Sequence, residues 1–102
     1  MNILGLDIST STTGWCFTSQ KNGKITLIDA GFVHHKGKRT LHEKSQDVKE
    51  VLLALKSKNS IDVICIEENL QSFRTGLSSA KTLMTLSRYN GIVSHECWLE
   101  TS

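Results

Sequence analysis

Ile3-Leu4-Gly5-Leu6-Asp7, inside the N-terminal stretch Met1 to Cys16, is apolar up to its last residue and then delivers one acid into the hydroxyl-rich segment Ser9-Thr10-Ser11-Thr12-Thr13-Gly14. A short apolar run closed by turn-forming residues reads as a strand. An ionised carboxylate at the end of such a strand is costly to desolvate unless a cation or hydrogen-bond donors meet it. Asp7 is therefore the first candidate functional residue, set against the plainer alternative that it caps the strand by bonding to the next turn.

Outward from Asp7, Gly14-Trp15-Cys16-Phe17-Thr18 suits a second strand. Asn22-Gly23, the strongest short hairpin signal, then precedes Ile25-Thr26-Leu27-Ile28-Asp29-Ala30-Gly31-Phe32-Val33, so three antiparallel strands are expected. From Thr40 the period changes. Leu41, Val48, Val51, Leu52 and Leu55 recur at three- and four-residue steps, with Lys44, Asp47, Lys49, Glu50 and Lys56 on other faces, as in an amphipathic helix lying on a sheet. Asn59-Ser60 ends it. Ile61-Asp62-Val63-Ile64-Cys65-Ile66 is a nearly continuous β-branched run of the kind found in a strand covered on both faces, which predicts a central strand.

That strand ends in Glu67-Glu68. The helical crossover favours parallel pairing with the Asp7 strand, and two neighbouring strands that each release an acid at one end bring those acids together. Paired carboxylates bind a hard cation. Period-two alternation puts Glu67 and Glu68 on opposite faces, so one of them shares a face with Asp7, and we take it to be Glu67.

Two loops carry further candidates. His34-His35-Lys36-Gly37-Lys38-Arg39 reads either as a phosphate contact or as an ordinary solvated connection, and only its position relative to a site decides between them. The paired histidines lack acids or a second pair at ligand spacing, which argues against a metal site there. In Asn69 to Gly76, Phe73 and Arg74 suit stacking on a base and holding a phosphate; the alternative is that Phe73 anchors the loop on the core. Ser78 or Ser79 is expected to cap a second helix through Leu83, Met84, Leu86, Ile92, Val93 and Cys97. Ser87 and Gly91 are expected to let that helix approach the sheet closely.

The 102 residues fit one small domain or part of a larger one. With 38% hydrophobic and 22% charged residues, no run long enough to cross a bilayer and no basic leader, the sequence predicts a cytoplasmic protein without a membrane partner. Cys16, Cys65 and Cys97 are odd in number and widely separated in apolar surroundings, so they read as small core residues rather than a disulfide framework. A net charge of +2 permits a nucleic-acid partner without implying one. The sequence stops at Trp98-Leu99-Glu100-Thr101-Ser102, directly after a helical pattern, and reads as cut there.

Ile3-Leu4-Gly5-Leu6-Asp7, Thr13-Gly14-Trp15, Val63-Ile64-Cys65-Ile66-Glu67 and the helix through Leu86-Ser87-Arg88-Tyr89-Asn90-Gly91 together resemble the RuvC-like Holliday junction resolvases of the RNase H-like superfamily, over nearly the whole chain. The resemblance implies an α/β fold in which residues 1–102 form the N-terminal portion of a single RNase H-like domain: a three-stranded antiparallel unit, a helix, a parallel central strand and a helix, truncated at the C-terminus. It implies a metal-dependent, structure-selective DNA endonuclease that resolves four-way junctions. Mg2+ is the implied cofactor, with Mn2+ as substitute, branched DNA the partner, and a homodimer the full-length form. Asp7 and Glu67 would be its metal-binding catalytic acids, with Lys36, Lys38, Arg39, Phe73 and Arg74 as nucleic-acid contacts. The family draws further acids from a C-terminal helix, so this fragment is expected to be inactive alone. Two features depart from the family pattern. Ile8-Ser9 stands where Pro-Gly is common, and Phe73 lies later in its loop than the stacking aromatic of some members.

Two rival readings stay open. Gly5-Leu6-Asp7-Ile8-Ser9-Thr10-Ser11-Thr12 also resembles the first phosphate-binding loop of the actin-like ATPase and sugar-kinase superfamily, which would imply an ATP-binding phosphotransferase fragment. The third is a non-catalytic RuvC-like module that binds nucleic acid or pairs with itself.

Overall fold

Strand β1 (Asn2–Asp7) sorts its side chains by parity: Leu4 and Leu6 are buried on one face, with Ile8 just beyond, while Gly5 and Asp7 turn to the other. The computed structural model of the protein describes residues 1–67 and 80–101. β2 (Thr12–Lys21) and β3 (Lys24–His34) form the expected hairpin. Asn22 and Gly23 close it with φ of 52° and 76°, the pair of positive angles that a two-residue type I′ turn requires. Within the hairpin Phe17 pairs with Asp29 and Thr18 with Leu27, so Ile28 is the extra residue of a bulge. Gly31 is obligatory for a different reason: a Cβ there would lie 2.7 Å from the Trp15 ring.

Helix α1 (Leu41–Lys56) begins where the sequence places it, on a complete capping box. The Thr40 side chain accepts from the Glu43 amide, and the Glu43 side chain accepts from the Thr40 amide. β4 (Val63–Ile66) pairs in parallel with β1, giving the sheet order β3-β2-β1-β4, and helix α2 (Ala80–Thr101) follows. Both helices pack on one face of the sheet. Val48, Leu52 and Leu55 of α1 and Tyr89, Val93 and Cys97 of α2 share a single core with Leu4, Leu6, Ile8 and Phe17. Lys49 bridges the helices through Glu96 and Glu100, each at 3.4 Å.

Four expectations are corrected. β4 is not central: among the described residues it is an edge strand, its side chains half-buried and Cys65 exposed. A β-branched run reads the same whether one face or both are covered. Cys16 is exposed too, so only Cys97 behaves as a core thiol, and burial pushes its pKa up to about 11. Ser87 and Gly91 face outward rather than toward the sheet, and a Cβ at Gly91 would meet nothing within 4 Å. Met84 is 67% exposed, and the buried stripe of α2 runs instead through Tyr89, Val93 and Cys97, at four-residue steps. Glu68, Phe73, Arg74, Ser78 and Ser79 lie outside the described residues. Among those described, no helix is long and apolar enough to cross a membrane.

Candidate active site

Because β1, β3 and β4 run in the same direction, their C-terminal ends meet at one end of the sheet, which is where ligands sit in open α/β sheets. Asp7 ends β1 there. Glu67 follows β4, one residue beyond the Leu6 and Ile66 pair, and its backbone N–H donates to the Leu6 carbonyl at 3.1 Å, which continues the pairing. The two acids therefore stand side by side on adjacent strands, a step of about 4.8 Å. Their parity sets them on the face opposite α1 and α2, where they line a shallow groove with Gly5, Gly14, Cys16 and Cys65.

Both acids are exposed, and neither carboxylate has a hydrogen-bond or ion-pair partner among the described residues. Glycines at positions 5 and 14 keep the sheet surface beside Asp7 low; a Cβ on Gly14 would touch the Asp7 Cβ at 4.0 Å. Two like charges so placed repel each other, and a bound cation removes that repulsion. As donors they fit a hard divalent cation, since both offer ionised oxygen. They are two ligands rather than a full set: among the described residues no group of three His, Cys, Asp or Glu could hold a metal ion.

The turn of residues 8–11 after Asp7 is braced from within and without. Ser9 Oγ lies 3.1 Å from Ser11 Oγ and accepts from the Ser11 amide at 3.3 Å. Lys44 of α1 donates to the Thr10 carbonyl at 2.7 Å, and the His35 amide to the Ser11 carbonyl at 2.8 Å. Lys44, read from the sequence only as lying on another face of α1 than its apolar stripe, thus braces this end of the molecule.

The basic loop of residues 35–40 leaves β3 at the same end of the sheet as the two acids. Its members differ in what they are free to do. Lys36 and Lys38 are exposed. Arg39 binds Asp47 at 2.6 Å and donates to the Glu43 carbonyl at 2.8 Å, and the Asp47 bond raises its pKa further. His34 lies 3.3 Å from Thr12 Oγ1. His35 is buried, and it bonds Thr13, Tyr89 and Asp47. Sequence reasoning missed His35 and Tyr89 as supports, although the signals were present. His35 continues the covered-face parity of Gly31 and Val33, and Tyr89 stands four residues before Val93 on the buried stripe.

With this geometry in place, the likeness to known proteins is specific. No family model matches the chain. It is 31% identical over 71 residues to a crossover junction endodeoxyribonuclease RuvC of Ehrlichia ruminantium, covering 67% of this chain and 44% of that protein. It is 28% identical over 94 residues to the RuvC of Helicobacter pylori, covering 92% of this chain and 56% of that protein. The chain thus spans about half the length of the curated relatives it matches. Its fold superposes on Thermus thermophilus RuvC in complex with Holliday junction substrate with a TM-score of 0.73 at 13% identity, over 98% of this chain and 59% of that one. A weaker fold likeness, TM-score 0.58 at 13% identity, joins it to the Aquifex aeolicus PPX-GPPA enzyme over 94% of this chain and 32% of that one. By sequence similarity and fold together, the chain is RuvC-like, with the RNase H-like architecture.

Proposed function

We propose that this chain carries two metal-binding acids, Asp7 and Glu67, of an Mg2+-dependent endodeoxyribonuclease that resolves four-way DNA junctions. One observation carries the proposal: two exposed carboxylates from adjacent parallel strands, on the uncovered face, without partners of their own among the described residues. Divalent cations bound there, magnesium or manganese, supply activation of water and neutralisation of charge on a phosphodiester. The chain's own residues do the rest. Asp7 and Glu67 offer the ligand oxygens, Gly5 and Gly14 leave room above the sheet, and the braced turn holds Asp7 in place.

Lys36 and Lys38 extend from the same end of the sheet and suit phosphate contacts along the branched DNA. Arg39, bound to Asp47, acts by shaping that loop, and Phe73 and Arg74 remain proposed contacts. A homodimer of the whole protein would match the two-fold symmetry of a four-way junction, one subunit per cleaved strand. Two carboxylates are fewer ligands than a pair of divalent cations takes, so the 102 residues alone are expected to bind the cation weakly and not to turn over. We place the protein in the cytoplasm, as expected for an enzyme acting on DNA.

The resemblance of residues 5–12 to a phosphate-binding loop is what the ATP-binding alternative rests on. That alternative is disfavoured because two of the segment's donors are already engaged: the Ser11 amide closes on Ser9, and the Thr13 hydroxyl is buried against His35. The test is cleavage of a synthetic four-way junction by the whole protein with Mg2+. Cleavage should be lost in Asp7→Asn and in Glu67→Gln, by about 100-fold or more. Cleavage indifferent to both changes, or a melting shift with ATP and none with junction DNA, would reverse the assignment.

A further inference from the structure

A buried histidine has to account for both ring nitrogens, and His35 does so by touching three elements besides its own. Its side chain is fully enclosed. Nδ1 faces Asp47 Oδ2 of α1 at 3.2 Å; Nε2 faces Thr13 Oγ1 of β2 at 2.9 Å and the Tyr89 hydroxyl of α2 at 3.0 Å. The Tyr89 ring meets the imidazole edge-on, centroids 5.7 Å apart. In the neutral imidazole, a carboxylate at Nδ1 keeps the ring proton there and leaves Nε2 with one lone pair, which the Thr13 and Tyr89 hydroxyls share. Among the described residues no buried side-chain nitrogen or oxygen lacks a partner, so the network is closed.

The connection Asp47 to His35 to Thr13 has the order of an acid, base and hydroxyl nucleophile. It does not serve that chemistry, because Thr13 is 1% and His35 4% exposed and no reactant reaches them. What the network does reach is the turn after Asp7. The Thr13 hydroxyl lies 3.4 Å from the Ser9 carbonyl, and the His35 amide holds the Ser11 carbonyl. The His35 backbone thus holds one of the turn's carbonyls directly, and its ring packs against Thr13, whose hydroxyl adjoins the other. The neighbour of Tyr89 in α2 completes the pattern: Asn90 Nδ2 donates to the Glu67 carbonyl at 3.3 Å. Consecutive residues of one helix therefore reach both acids' strand ends, Asn90 directly and Tyr89 through His35.

We propose that His35 is the positioning residue of the site: it locks the turn of residues 8–11, and with it the direction in which Asp7 leaves β1, to both helices. This rests on reading Asp7 and Glu67 as cation ligands. The test uses two readouts on the protein: amide exchange at Ser11 and at position 35, and Mn2+ affinity from paramagnetic broadening. His35→Phe keeps a ring in the core but removes both nitrogens. It should speed exchange at these amides about tenfold, as loss of a buried hydrogen bond does, and leave the amides of the hairpin's distal end unchanged. Mn2+ affinity should fall about 10- to 100-fold, the range seen when groups that orient metal ligands are removed. His35→Gln, which returns a polar group toward Thr13 and Tyr89, should recover most of both. Unchanged exchange and unchanged Mn2+ affinity in His35→Phe would overturn the proposal. Where that variant fails to fold, Thr13→Val, which removes one hydroxyl at nearly constant shape, is read in the same way. Absence of Mn2+ binding by the unmodified protein would count against the Asp7 and Glu67 reading, while the exchange data would still decide the role of His35.

Discussion

On the face of the sheet covered by α1 and α2, polar side chains answer one another: His35, Thr13, Tyr89, Asp47 and Arg39 form a closed set in which every buried atom is matched. On the opposite face, one strand step away, Asp7 and Glu67 have no partner among the described residues and stand over a floor of glycine and exposed cysteine. The same residue types behave differently on the two faces because water and burial set different terms. A polar group sealed in the core must be satisfied internally and loses its reactivity. One left at the surface of a groove keeps its affinity for a ligand from outside. In the proposed reading, chemistry belongs to the second face and positioning to the first.

Substitution on either face separates the two most sharply. Phe17 is fully buried beneath the helices, and Phe17→Ala should lower stability by about 3–5 kcal/mol, measured by denaturant unfolding. Cys16→Ala on β2 and Cys65→Ala on β4, both turned to the open face, should stay within about 0.5 kcal/mol of the parent. Comparable losses from the cysteine changes would mean that the open face is covered.

Alkaline titration followed at Tyr89 and Cys97 probes the covered face. Burial pushes the Tyr89 phenol from 10.0 up to about 12 and the Cys97 thiol from 9.0 up to about 11. Both pKa values are raised on folding, so the stability they contribute is fully present below the unfolded values and is lost as pH rises through the folded ones. The melting temperature should therefore begin to fall above about pH 9 and fall furthest as Tyr89 ionises near 12. Tyr89 is the only tyrosine in the chain, so tyrosinate absorbance reports it without ambiguity. Ionisation near 10 in the folded protein would show that the network is open to water.

The smallest effect concerns the loop at the shared end of the sheet. Replacing Lys36 and Lys38 together by Gln should reduce the salt dependence of DNA binding by about one unit of slope per lost phosphate contact. An unchanged slope would return the loop to an ordinary solvated connection.

Much of this architecture was legible in the residues. Asn22-Gly23 set the hairpin, the change of period at Thr40 marked the start of α1, and apolar runs ending in acids located β1 and β4 and their parallel pairing. Alternation also chose Glu67 as the acid that shares a face with Asp7; Glu67 stands beside Asp7, Glu68 lies outside the described residues, and the role of Glu67 as a ligand is a proposal. What sequence could not convey was the difference between a strand covered once and one covered twice. That ambiguity misplaced β4 and two of the three cysteines. The polar network was hidden for another reason. Parity and stripe put His35 and Tyr89 on the covered side, but the partners they meet there, Thr13 and Asp47, are distant in sequence, and no local pattern records such a meeting.

The pairing of Asp7 with Glu67 is tested most directly by titrating Mn2+ into the protein and mapping amide line broadening. Broadening should centre on residues 5–7, 14 and 65–67 and be lost in Asp7→Asn, while the amides around His35 on the covered face are affected later and less. Broadening centred on the His34 and His35 loop, or unaltered by Asp7→Asn, would contradict the assignment of the open face as the metal-binding one.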